Sequence, residues 1–103
     1  DHCFAVDGYE KNILKEVGQL RCKATGRKVT VLSSQPAAVL YTGNWLAGGC
    51  PKTKSDKYYQ DYAGVAIECQ GFSDAVNHPD FPSIYLKADE LYCNKIVFKL
   101  EQF

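Results

Sequence analysis

The chain has 103 residues, 46% of them hydrophobic and only four proline, which excludes a disordered segment and fits one folded domain over residues 1–103. Lysine plus arginine and aspartate plus glutamate number 12 each, so the net charge is zero. That balance argues against a general nucleic-acid binder, whose affinity rests on phosphate neutralisation, while leaving room for a local basic patch.

Cys3, Cys22, Cys50, Cys69 and Cys93 in so short a chain point to an oxidising compartment and a disulfide framework with one thiol left over. No cysteine pair has metal-binding spacing, and His2 and His78 are the only histidines, so no metal or cofactor is expected. No apolar run reaches membrane-spanning length and the chain begins without Met. The expectation is a mature secreted monomer freed of its signal and not bound to a membrane.

In chain order, Asp1 to Val6 reads as an edge strand, and Asp7-Gly8 punctuates it. Ile13, Val17, Leu20 and Ala24 fall at i, i+4, i+7 and i+11, which predicts a helix from Tyr9 to Ala24. Asp7 would cap that helix and Gly26 would stop it, while Gly18 weakens it by up to about 1 kcal/mol. Lys28 to Leu32 alternates and is β-branched, hence a strand, and Ala37 to Tyr41 is a second. Thr42 to Lys57, with Gly43, Gly48, Gly49 and Pro51, is a loop long enough to suggest a function. Tyr62 to Cys69 is predicted as a central strand and Gln70 to Phe81 as another loop. Ser83 to Lys87 and Leu91 to Leu100 are predicted to pair as a hairpin around Ala88-Asp89-Glu90. The predicted class is α+β: a single helix packed on a twisted antiparallel sheet of about four strands, with an N-terminal strand or hairpin.

Three stretches resemble the fungal guanyl-specific ribonucleases. Cys3 to Cys22 resembles their cysteine–helix–cysteine opening. Tyr62-Ala63-Gly64-Val65-Ala66-Ile67 resembles their central strand, and Pro79 to Phe98 their catalytic hairpin. A nearer resemblance is to the RNase-like (RALPH) effectors of cereal powdery mildew fungi, although Phe4 here follows the cysteine of the aromatic-x-Cys motif instead of preceding it. The resemblance implies a disulfide joining Cys3 to Cys93. Cys22 and Cys50 are a tentative second pair, and Cys69 a buried free thiol. A bridge closing a loop of about a hundred residues would contribute on the order of 4 kcal/mol in the chain-entropy model.

The same alignment removes the chemistry. The family's glutamate falls on Gly64, its arginine on Ser83 and its final histidine on Phe98, and no histidine lies near Val39 to Tyr41. RNA cleavage needs a base, an acid and phosphate-binding cations. Glu68 can supply a base by a register slip, since it lies four residues from Gly64 on the same strand face. His78, in a Pro-flanked loop, and terminal His2 are not placed to be its partner.

The resemblance therefore implies a non-enzyme: a secreted, catalytically inactive ribonuclease-like effector of avirulence type. Such a protein acts inside the plant host by binding and is recognised there by an intracellular nucleotide-binding leucine-rich-repeat receptor. An RNA-binding version is the alternative, and an active ribonuclease the third reading. The candidate partner-binding residues are Trp45, Leu46, Lys52, Lys54, Lys57, Tyr58 and Tyr59. The lysines among aromatics suit single-stranded RNA, and an exposed Trp45 suits a host protein or receptor.

Overall fold

The computed structural model describes residues 1–49 and 51–103. Its regular structure consists of β1 (His2–Ala5), β2 (Lys15–Cys22), β3 (Arg27–Ser33), β4 (Ala37–Tyr41), β5 (Ala66–Gln70) and β6 (Ile96–Gln102). A single 3₁₀ turn covers Ala75–Asn77, and no α-helix occurs among the described residues. The strands form two antiparallel three-stranded sheets, one ordered β1-β4-β5 and the other β2-β3-β6. The architecture is β, and the α+β expectation is corrected.

The predicted helix is where the two differ most. Lys15–Cys22 is β2, paired along its length with β3 from Lys15↔Ser33 to Cys22↔Arg27. Between Glu16 and Gly18 the register shifts, leaving Val17 as the extra residue of a β-bulge. The apolar stripe that suggests a helix is one of two periods these residues satisfy. Gly18, Leu20 and Cys22 also alternate with Gln19 and Arg21 at the period of a strand. The neighbouring β-branched strand decides between them by offering a complete hydrogen-bond ladder. Gly26 ends no helix. It closes the β2–β3 hairpin turn at φ 65°, with Thr25 N–H donating to the Cys22 carbonyl at 3.3 Å.

The predicted C-terminal hairpin is half realised. The turn at Lys87–Glu90 forms: Glu90 N–H donates to the Lys87 carbonyl at 3.2 Å, Lys87 N–H donates to Glu90 Oε2 at 3.0 Å, and Asp89 has φ 67°. Its flanks do not pair as strands. β6 instead lies against β3, from Arg27↔Gln102 to Ser33↔Ile96. A partner some seventy residues away displaces the local one because β3 would otherwise lack a ladder on that side. β5 is likewise shorter than predicted and lies at a sheet edge, with β4 in the centre.

The core sits where β3 turns into β4. Val31, Ala37, Ala38, Val39 and Cys69 are buried there, together with the polar Ser33, Ser34 and Gln35. The polar groups are satisfied locally. Ser33 Oγ accepts from Gln35 N–H at 3.1 Å, Ser34 Oγ accepts from Lys95 N–H at 3.0 Å, and Ser34 N–H donates to the Lys95 carbonyl at 3.1 Å. The last two bonds tie the segment before β6 to the β3–β4 corner.

The expected Cys3–Cys93 bridge is not formed: both are exposed free thiols, and β1 is held by its ladder to β4. The pairing was carried over from a fold in which a terminal strand and a last hairpin adjoin, and neither arrangement exists here. Cys69 is a buried free thiol. Cys22 is exposed at the end of β2, and its tentative partner Cys50 lies outside the described residues.

Candidate functional site

Pairing in the β1-β4-β5 sheet fixes which side chains share a face, because directly opposed residues in antiparallel strands point the same way. One face carries the row Cys3–Val39–Glu68, flanked by the row Ala5–Ala37–Gln70 and by Tyr41–Ala66. The other face carries His2–Leu40–Ile67 and Phe4–Ala38–Cys69. Glu68 is thus a carboxylate rising from a floor of small apolar residues, with buried Val39 directly beside it.

Among the described residues three acidic side chains stand on strands. Glu16 accepts from Gln19 Nε2 at 2.9 Å, and Glu101 is paired with Lys28 at 2.9 Å. Glu68 has neither a hydrogen-bond nor an ion-pair partner among the described residues, and it is exposed. A carboxylate left without a partner on a well-ordered strand is free to accept a proton from something else.

Hollows lie at both ends of this sheet. At the Tyr41–Ala66 end, Tyr41, Gly43, Leu46, Gly64, Val65 and Ala66 line a hollow of about 270 Å³. It is framed by the β4–β5 loop, which is pinned by Tyr62 N–H donating to the Gly43 carbonyl at 2.7 Å and by Ala47 N–H donating to Asp61 Oδ1 at 2.8 Å. At the other end a cleft of about 600 Å³ is bordered by Gln35, Pro36, Gly71, Tyr9, Tyr85 and Tyr92. Gln35 Nε2 donates to Tyr92 Oη at 3.4 Å across it. Glu68 is two residues from each end of β5, about 7 Å along the strand from Ala66 and from Gln70.

The residues expected to bind a partner all fall in the β4–β5 loop. Trp45 is 83% exposed, and its backbone N–H donates to Tyr41 Oη at 3.0 Å. Leu46 is half-buried against the smaller hollow. Lys52 is engaged with Asp56 at 2.9 Å and stands 5.4 Å over the Tyr58 ring. Lys54, Lys57, Tyr58 and Tyr59 are exposed. The two histidines do not join Glu68. His2 is on the opposite sheet face, and His78 Nε2 lies 3.4 Å from Asp74 with its ring stacked on Phe81 at 4.7 Å. The sequence offers Glu68 as a candidate base on a strand, and the structure places it on β5 with neither histidine beside it.

Residues 1–99 match the family model for aldose 1-epimerase. Galactose mutarotase of Rattus norvegicus is 37% identical over 99 residues, which cover 96% of this chain and 28% of the rat protein. The Homo sapiens galactose mutarotase is 37% identical over 100 residues, with the same coverage of 96% and 28%. Aldose 1-epimerase of Haemophilus influenzae is 36% identical over 81 residues, 79% of this chain and 22% of its own length. The chain thus spans little more than a quarter of the relatives it matches.

These findings overturn the ribonuclease-like and RALPH resemblance, which rested on short segments, whereas the new match runs through nearly the whole chain. With it fall the effector, avirulence and plant-immunity readings, the RNA-binding alternative and the expectation of a non-enzyme, since the relatives are named as sugar-converting enzymes. The chain belongs to the aldose 1-epimerase family.

Proposed function

We propose that the polypeptide carrying this chain interconverts the α and β anomers of an aldose, galactose among them, and that Glu68 is its general base. The observation that carries the proposal is the unpartnered carboxylate on the sheet face, taken with the family match. Anomer exchange needs little else from a base. The C1 hydroxyl gives its proton to the carboxylate, the C1–O5 bond breaks, and O5 takes a proton from an acid. The open-chain aldehyde turns about C1–C2. Closure in the reverse sense then returns the proton from Glu68 to the new C1 hydroxyl, and O5 gives its proton back. Atoms and charge balance over the cycle, and no redox partner is required.

Apolar Val39, directly opposite Glu68 on β4, suits this role, because it offers the carboxylate no competing hydrogen-bond partner. No histidine of the described residues faces Glu68, so the acid is proposed to come from the part of the family's length that this chain does not span.

The test is polarimetry of freshly dissolved α-D-galactose with the intact polypeptide. Glu68→Gln is expected to lower kcat by about 10²–10⁴-fold while the protein stays folded. An unchanged rate in that variant would remove Glu68 from the mechanism. No acceleration over buffer with the wild-type polypeptide would remove the activity.

A further inference from the structure

Two residues beyond Glu68, at the end of β5, stands Gln70. Side chains alternate across a strand, so Glu68 and Gln70 point to the same face, about 7 Å apart. Registered pairing sets Ala37 of β4 opposite Gln70, as it sets Val39 opposite Glu68. Both of these neighbours are apolar and buried, and neither side chain has a polar atom to offer. The residue after Gln70, Gly71, already borders the cleft of about 600 Å³.

A half-buried glutamine ordinarily spends its amide on the protein. Gln35 donates to Tyr92 Oη at 3.4 Å. Gln19 donates to Glu16 at 2.9 Å and accepts from Arg21 at 2.9 Å. The Gln70 amide is half-buried on a paired strand and has no hydrogen-bond partner among the described residues. The same face therefore carries two unspent polar groups of different kinds, one at each end of a short stretch of strand.

Glutamate and glutamine have the same skeleton, so both groups reach equally far from the sheet. A carboxylate only accepts, whereas an amide accepts and donates at once and keeps its character at every working pH. Its oxygen and nitrogen are spaced to meet hydroxyls on neighbouring ring carbons, accepting from one and donating to the other. With the C1 hydroxyl at Glu68, a group about 7 Å further along the strand faces the opposite side of a pyranose ring. The neighbouring hydroxyls there are those on C3 and C4.

We propose that Gln70 holds the C3 and C4 hydroxyls of the aldose and so sets the ring with C1 over Glu68. The substrates of the site are then aldopyranoses in which both of these hydroxyls are free. This assignment rests on the proposed anomer exchange and adds the group that positions the sugar for it.

The experiment is saturation polarimetry of the intact polypeptide with α-D-galactose and with its 4-deoxy analogue. Gln70→Ala is expected to raise KM for galactose about tenfold while kcat stays within about twofold, the mark of a lost binding contact. Gln70→Asn keeps an amide for folding but withdraws it by one methylene, and it is expected to raise KM by at least about threefold. With the 4-deoxy sugar the wild type already shows a raised KM, and Gln70→Ala is expected to add no more than about threefold. An unchanged KM for galactose in both variants would overturn the assignment. So would an equal rise on the two sugars, because a merely structural glutamine cannot sense the C4 hydroxyl. An active wild type with either result removes Gln70 alone, whereas a wild type that does not accelerate galactose mutarotation removes the reaction and this assignment together.

Discussion

At the level of single residues, Glu68 and Gly43 make the most specific claims. Glu68 lacks the partners that occupy Glu16 and Glu101, and its proposed role predicts the loss of anomerase rate in Glu68→Gln described above. Gly43 positions the loop beside it. Its φ of 72° is in the left-handed region, and a Cβ there would lie 2.8 Å from the Gly64 carbonyl oxygen and 2.9 Å from Leu46 Cδ1. Gly43→Ala is expected to destabilise the protein by about 1–3 kcal/mol in urea unfolding and to loosen the Tyr62–Gly43 hydrogen bond, seen as faster exchange of the Tyr62 amide. A variant as stable as the wild type would show that the loop can rearrange freely. Single residues were also where the sequence was partly legible. The sequence offers Glu68 as a candidate base and Gly43 as a loop glycine, but reads Gly26 as the end of a helix that does not form. The bond each makes, or lacks, depends on what folds next to it.

At the level of elements, β3 organises its sheet. Val31 is fully buried, with Gly18 on one side and Phe98 on the other. Val31→Ala is expected to cost about 2 kcal/mol, measured by denaturant titration, because the surrounding strands cannot collapse into the space. The β3–β6 pairing also has an acid-sensitive tie. The hydrogen bond from Lys28 Nζ, supported by its charge and by Thr30, outweighs partial burial and holds the Glu101 carboxyl below its ordinary value. A carboxyl whose folded value is depressed stabilises the fold above its unfolded value, and that contribution is lost as the pH falls through the folded one. The wild type should therefore lose more Tm than Glu101→Gln between about pH 6 and pH 3. Water still reaches this half-buried pair and screens it, so the difference is small, and equal losses would show that the tie contributes nothing. At this scale the strands β1, β3 and β4 were readable from alternation and β-branching. β2 was not, because residues with good helix propensity satisfy both periods until a neighbouring strand selects one.

Over the whole molecule, the two sheets leave more surface bare than a folded chain of this mass ordinarily shows. Exposed Leu20 on β2 and Phe98 and Leu100 on β6 account for part of it. The face carrying Glu68 and the face carrying Phe98 and Leu100 belong to different sheets.

By itself the sequence determined the turns at Asp7-Gly8 and Lys87–Glu90, the strands flanking Gln35, and the long loop bearing Trp45. Each of these is set by local physics: positive φ, β-branching or the absence of periodicity. The tertiary structure alone decided that Lys15–Cys22 is a strand, that β6 pairs with β3 instead of with the segment before the turn, and that Cys3 and Cys93 stay apart. Those outcomes depend on hydrogen-bond ladders between segments up to about seventy residues apart. A ladder is gained only when both edges meet, so no single stretch of the chain records it.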